Sequence, residues 1–409
     1  MVAGCLSPSA QAGLVRLGAR LPFAEAAAEL AYFWQIQVSA STARRQTDAA
    51  GTAYEAVQTA AVAALAQEAD AAVPAPLGPP CQFFSADGAM VPLVGGVWAE
   101  VKTLAVGTLR AGSTSDTPRH CTDLSYFSRL ADAETFTRLA VVETHRRGLT
   151  TAGTVVAVTD GSAWLQGCID YHRPDAVRIL DFPHAVEHLT AAAQATFGAG
   201  GTQAATWVTD QAHILKHGDP MRVLLALLDL PVRTAPQPEA AAQARRTTAL
   251  YLAARWAAIQ YAQFQAAGYP LGDGAIESAN KRIPQARLKG SGMRWNRANV
   301  NPMLALRTVA ANDRWAEAWA TLRAYTRAQT AAHRQQQRQQ RRLAATALPS
   351  TPTLVVLPPI PTLTPPPTPL PRRATAIPAL PPERTRSPHP WSFRARLNAR
   401  SLPDPSARK

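Results

Sequence analysis

Cysteine is scarce in this 409-residue chain. The four present, Cys5, Cys81, Cys121 and Cys168, lie far apart with no CxxC pair, which argues against a zinc ribbon and against a disulfide framework. A reducing, intracellular compartment is expected. Long apolar runs are also missing: none approaches the roughly 18 residues that a membrane span needs. The first residues have no basic stretch followed by an apolar core, so export is not expected. What is short locally is acid. The formal charge is +14, yet 13 of the 42 Lys and Arg, and only 2 of the 28 Asp and Glu, lie after residue 330. Residues 1–330 therefore carry only the remaining +3. Such a balance favours a polyanionic partner, held on the body by a local patch.

With 47% apolar residues the chain can bury a sizeable core. Residues 11–50 read as helices. PFAEAAAELAYFW has apolar positions at helical spacing, QIQ interrupts it, and Ser39 or Ser41 can cap a short helix bearing Arg44 and Arg45. That pattern is helix-turn-helix-like, and such a second helix would present bases to a DNA groove; a simple helical hairpin fits it as well. Residues 52–72 continue as an Ala-rich helix, and AAVPAPLGPP reads as a linker.

The period then changes from helical to alternating. CQFFSADG and VWAEVKTLAVGTL predict strands, 131–147 a helix, TVVAVTDG a strand, and AVRILDFPHAVEHL a strand entering a helix capped by Asp181. This order predicts a mixed α/β sheet with helices on its faces. Residues 186–270 are mostly helical and read as an insertion; helices are expected again near 275–282 and 301–343. Residues 349–405 hold 17 of the 34 prolines and predict an extended basic arm, since each Pro removes a donor and restricts φ.

Three acids occupy suggestive positions: Asp87 in SADGAM, Asp160 in AVTDGSAW and Glu277 in GAIESANK. Asp87 and Asp160 follow apolar strand residues and precede Gly, which places each carboxylate at an expected strand tip. Carboxylates gathered from distant segments repel unless a hard cation lies between them, and two Mg²⁺ (or Mn²⁺) ions so held suit in-line phosphoryl displacement. The alternative stands beside this: Asp-Gly is a common turn dipeptide, and Glu277 in a first helical turn suits the helix dipole. The sequence intervals of 73 and 117 do not decide between them.

After Glu277 comes an acid-free run. From Ser278 to Asn312 stand Lys281, Arg282, Arg287, Lys289, Arg294, Arg297 and Arg307. RLKGSGMRW predicts a loop gripping phosphate oxygens, with Trp295 stacking on a base or sugar; a solvated basic face is the alternative.

These blocks in this order, SADGAMVPL with WAEVKTLAVG, VTDGSAWLQ with ILDFPHAVEHL, and GAIESANKRI with RLKGSGMRW and MLALR, resemble the DDE transposases of ISKra-type bacterial insertion sequences, related to the Mutator-like group. The resemblance covers about residues 6–320. It implies a ribonuclease-H-like catalytic core interrupted by a helical insertion before the last acid, with Asp87, Asp160 and Glu277 as the catalytic, metal-holding acids. It also implies an accessory Asp181 and His184. Family members often carry a Cys-bearing segment ahead of the helical region, and here only Cys5 matches it.

The expected organisation is a helical DNA-binding region over 1–72, a linker over 73–80, a ribonuclease-H-like core over 81–185 and 271–320, the insertion over 186–270, a basic helix over 321–345 and the Pro-rich tail over 346–409. The expected function is Mg²⁺-dependent cleavage and strand transfer of insertion-sequence DNA ends by a cytoplasmic bacterial homo-oligomer, nucleoid-associated when acting, with no membrane partner. Two alternatives are an inactive DNA-binding transposase remnant and a ribonuclease-H-like nuclease.

Overall fold

A computed structural model describes residues 6–70, 74–110 and 120–347. Cys5 lies outside these, as does the Pro-rich tail except for the two residues that end the last helix. The chain up to residue 344 forms one compact unit.

Three helices come first: α1 (Pro8–Gly18), α2 (Phe23–Trp34) and α3 (Ala40–Asp70). The short helix bearing Arg44 and Arg45 and its Ala-rich continuation form one 31-residue helix, α3. Gly51 does not break it. A Cβ at Gly51 would stand 2.5 Å from the Pro302 carbonyl oxygen, so the glycine permits a close crossing of α3 with a later helix.

One mixed sheet follows, built from β1 (Cys81–Pro92), β2 (Trp98–Arg110), β3 (His120–Arg129), β4 (Thr154–Thr159) and β5 (Val177–Leu180), in the order β3-β2-β1-β4-β5. The first three strands pair antiparallel, whereas β4 and β5 run parallel to β1. Parallel neighbours need crossovers, and α4 (Ala133–Arg146) and α5 (Ala163–His172) supply them.

Both faces are covered. Phe84, Leu104, Val106, Phe127, Val155 and Ala157 pack with Phe136 of α4 and Ile169 of α5. The alternate positions, Phe83, Val101, Ala105, Val156 and Val158, join the larger core on the opposite face. Burial on both sides explains why residues 155–158 are continuously apolar.

The region after β5 is helical, with α6 (Phe182–Phe197), α7 (Thr202–His217), α8 (Pro220–Leu228), α9 (Pro238–Ala253) and α10 (Tyr261–Ala266). The chain then returns to the sheet with α11 (Gly274–Asn280), widens into a π-turn at Lys281–Gln285, and continues through α12 (Ala286–Leu288), α13 (Arg297–Ala311) and α14 (Trp315–Ala347). Pro284 sits inside the π-turn, where the missing N–H and the ring's bulk disfavour regular α geometry. Ile276 and Ala279 of α11, with Val300 and Leu304 of α13, complete the larger core.

Candidate active site

Asp87 lies inside β1. The ladder with β2 runs from Asp87 opposite Thr103 on to Pro92 opposite Trp98, and Gly88 stays in it opposite Lys102. The expected strand tip is thus corrected for Asp87, because a strand held by a paired neighbour does not turn at Asp-Gly. On its other side β1 pairs with β4 only from Cys81–Thr154 to Phe84–Ala157, so its second half overhangs β4. At Asp160 the turn is real. Gly161 has a φ of +75°, a region disfavoured for residues with a Cβ, and the Asp160 carboxylate accepts from the Ser162 amide at 2.8 Å.

The ladder gives the interval of 73 a meaning. β1 and β4 pair at that constant offset, Ser85 Oγ donates to the Val158 carbonyl at 2.7 Å with the same offset, and it also separates Asp87 from Asp160. The register therefore carries both aspartates to one level on neighbouring segments. Because alternate residues share a face, Asp87 falls with Phe83, and Asp160 with Val156 and Val158, on the face that α11 covers.

From α11, Asn280 donates its Nδ2 to Asp87 Oδ2 at 2.8 Å. Asn280 is buried, and its Oδ1 has no hydrogen-bond partner among the described residues. Glu277, almost one turn earlier, is exposed and pairs with Lys281 at 3.3 Å. Asp273, just ahead of the helix, donates its amide to Asp181 Oδ1 at 3.0 Å, while Asp181 Oδ2 accepts from the His184 amide at 2.9 Å. Asp181 thus caps α6 as its sequence position predicts, and also ties that helix to the approach of α11. His184 Nδ1 lies 3.3 Å from Glu187 Oε2.

Electrostatics link these acids. Burial pushes the Asp273 carboxyl up to about 7, and Asp181, Asp87, Glu277 and Asp160 push it in the same direction. Asp87 is also raised, first by burial and further by Asp160 and Glu100, against lowering hydrogen bonds from the Gly88 amide and Asn280. Asp273 and Asn280 escaped the sequence reading: one is another Asp beside Gly, the other a polar residue in a short helix, and neither has a local signal.

The helical region reaches the site through α9. Tyr251 donates its hydroxyl to the Asp160 carbonyl at 2.5 Å, and Arg255, just past the helix, donates to the Gly161 carbonyl through Nε at 3.2 Å and Nη2 at 2.7 Å. The Arg255 guanidinium lies 3.7 Å above the Tyr251 ring, and His188 stacks on that ring at 3.8 Å. The turn that carries Asp160 is therefore clamped by residues 91 and 94 positions away in sequence.

The basic run divides in two. Lys281, Arg282, Lys289, Arg294 and Arg297 are exposed, as are Arg44 and Arg45 on α3. Arg287 and Trp295 are buried, which corrects their expected role as phosphate and base contacts. Arg287 lies between the Phe23 and Trp295 rings, 4.8 and 4.9 Å from their centroids, with its Nε donating to the Gly18 carbonyl at 3.3 Å. Burial lowers its pKa to about 10. Trp295 is held by backbone bonds, its amide donating to the Pro92 carbonyl at 3.1 Å and its carbonyl accepting from the Val94 amide at 2.9 Å. Arg307 is drawn inward too, donating to the carbonyls of Ala19, Arg282 and Ile283.

Asp87, Asp160 and Glu277 offer the hard oxygen donors that suit Mg²⁺ or Mn²⁺, and their mutual repulsion with Asp273 is what such a cation would relieve. As the side chains stand, no group of three or more His, Cys, Asp or Glu among the described residues is arranged to hold a metal ion. For Glu277 to join the aspartates it must leave Lys281. No helix among the described residues is long and apolar enough to cross a membrane. No protein-family model matches the chain, and neither does any curated protein.

Proposed function

We propose that the chain is a DDE transposase of the ISKra type, cutting the DNA ends of an insertion sequence and joining them to target DNA. The observation that carries the reading is the shared 73-residue register, which brings Asp87 and Asp160 to one level on the sheet face covered by α11, the helix that also bears the exposed Glu277. The strand order β3-β2-β1-β4-β5, three antiparallel strands followed by two parallel ones, supports a ribonuclease-H-like core. The helices between β5 and α11 stand where the family resemblance implies an insertion.

In this reading Asp87, Asp160 and Glu277 hold Mg²⁺ or Mn²⁺, which when bound would activate the attacking oxygen and stabilise the leaving one. Asn280 orients the Asp87 carboxylate through its 2.8 Å hydrogen bond, and Tyr251 and Arg255 hold the Asp160 turn. Lys281, Arg282, Lys289, Arg294 and Arg297 are exposed along the same stretch of chain and would bind DNA phosphates; Arg44 and Arg45 serve the elements' ends. Two ends must meet in one complex, so the working species is a homo-oligomer in the bacterial cytoplasm.

The test is cleavage of a labelled end fragment by purified protein with Mg²⁺. Asp160→Asn is expected to abolish cutting and leave DNA binding nearly intact; nicking retained by the mutant overturns the assignment. The Glu277–Lys281 pair, which holds Glu277 in an exposed ion pair among the described residues, favours a second reading, an inactive DNA-binding remnant. Binding without product, under conditions where the metal is bound, would select it. Cleavage confined to RNA or hybrids in a substrate panel would instead indicate a ribonuclease-H-like nuclease.

A further inference from the structure

The long helix α14 has two parts. Its first turns are rooted in the body: Trp315, Trp319 and Leu322 join the larger core, Arg146 pairs with Glu317, and Arg314 grips Glu143 through two bonds of 2.7 and 2.9 Å. From Arg327 to Ala344 every residue is exposed. A helix with no apolar face toward its own protein gains nothing from packing, so burial within this protein does not account for these turns.

The charges in it are ordered. From Ala318 to Ala347 there is no acid, so the self-neutralising pairs common on exposed helices cannot form. Arg323, Arg327, Arg334, Arg338 and Arg341 are separated by 4, 7, 4 and 3 residues. At 3.6 residues per turn these intervals keep all five within a stripe about 60° wide, and at 1.5 Å per residue the stripe is about 27 Å long. Five glutamines, Gln335, Gln336, Gln337, Gln339 and Gln340, fill the positions between the last three arginines with uncharged donors and acceptors. Among the described residues no ion pair involves any of the five stripe arginines.

We infer that the Arg323–Arg341 face of α14 is a second nucleic-acid surface, separate from the basic residues beside the candidate active site, which lies along the phosphate backbone of duplex DNA without reading its sequence. Charge complementarity favours that occupant. Arginine forks match phosphate oxygens, a straight stripe of about 27 Å follows a rigid backbone over several phosphates, and the absence of large apolar residues from the stripe leaves nothing to insert into a lipid surface. The inference needs no metal and does not depend on cleavage, so it can fail or stand independently of the transposase reading.

The test uses the full chain in EDTA with a mixed-sequence 25-base-pair duplex, following affinity by fluorescence anisotropy as salt is raised. Replacing all five arginines by Gln is expected to lower affinity at least tenfold and to reduce the salt slope by up to about 4.5, at roughly 0.9 per phosphate contact. A charge-conserving variant, R334Q/Q336R/R338Q/Q340R, moves two charges off the stripe without changing composition and is expected to reduce the slope by about 2. Unchanged affinity and slope in that variant overturn the inference, because a diffuse charge effect ignores where on the helix the arginines stand. Removing five arginines from the Pro-rich segment instead (R372Q/R373Q/R384Q/R386Q/R394Q) should cost less than the stripe variant; an equal or greater loss also overturns it. Tighter binding to single-stranded RNA, or to phosphatidylserine vesicles, than to the duplex would assign the stripe to a different partner. Circular dichroism matching the parent protein ensures that each variant is folded.

Discussion

Two stretches of this chain look alike on paper. Residues 278–312 carry seven bases and no acid, and residues 318–347 carry six and no acid. In the first, Arg287 and Arg307 turn inward to hold α1 and the π-turn, while the other five stay exposed. In the second, the five stripe arginines all remain in solvent. The difference comes from what lies between the charges. Ile283, Leu288, Trp295, Val300, Leu304 and Leu306 draw the first stretch into the larger core, and arginines near them can satisfy buried carbonyls. Beyond Leu322 the second stretch has only small and polar residues, Tyr325 and Leu343 apart, and nothing pulls it in. Linear charge density therefore does not measure how much charge a partner can reach.

The largest effect that would break this contrast is on stability. Arg287→Ala and Arg307→Ala should each cost about 2–4 kcal/mol, measured by urea unfolding, because each leaves a cavity and unsatisfied carbonyls in a packed region. If either behaves like a surface substitution, the division of the first stretch is wrong. A second effect sharpens the description of the neighbouring acids. Asp273 has a folded pKa of about 7, above its ordinary carboxylate value. The folded state therefore holds a proton that the unfolded state has lost, and stability falls as pH rises from about 4 to about 7. Asp273→Asn should accordingly stabilise the protein at pH 8 by about 1–3 kcal/mol, discounted for partial exposure, and have no such effect near pH 4. A pH-independent difference between mutant and parent would remove the acid cluster from the account.

An intermediate effect falls on activity. Arg255→Ala should lower the cleavage rate about tenfold to hundredfold with DNA affinity unchanged, since the guanidinium acts on the Asp160 turn and not on the polymer. Loss of affinity with an unaltered rate would place Arg255 in a DNA contact instead. The smallest effects belong to the exposed bases. Lys281→Gln, Arg282→Gln or Arg334→Gln should change stability by less than about 0.5 kcal/mol and each lower the salt slope of DNA binding by about 0.9.

Much of the fold was legible. The strand at TVVAVT, the helix over 131–147 and the Asp181 cap follow from alternation, helical spacing and side-chain chemistry, and each is found where those signals place it. In the N-terminal region helical spacing was readable over 40–70, but not that α3 crosses a later helix closely at Gly51, since that contact lies with residues remote in sequence. Of the candidate site, the Asp160 turn was readable from its local sequence. The continuous strand through Asp87 was not, since an Asp-Gly pair turns or stays extended according to whether a neighbouring strand bonds it on through Pro92.

By itself, then, the sequence determined which segments alternate, which coil, where the acids stop and where the arginines of the last helix line up, because each depends on neighbours within a few residues. Tertiary structure alone decided that β1 and β4 pair at an offset equal to the distance between two aspartates, that Asp273 and Asn280 join them, that Tyr251 and Arg255 brace one of them, and that Arg287 is core rather than surface. Those facts rest on contacts between remote segments, and a chain carries no local mark of which distant residue will desolvate a charge or complete a hydrogen bond.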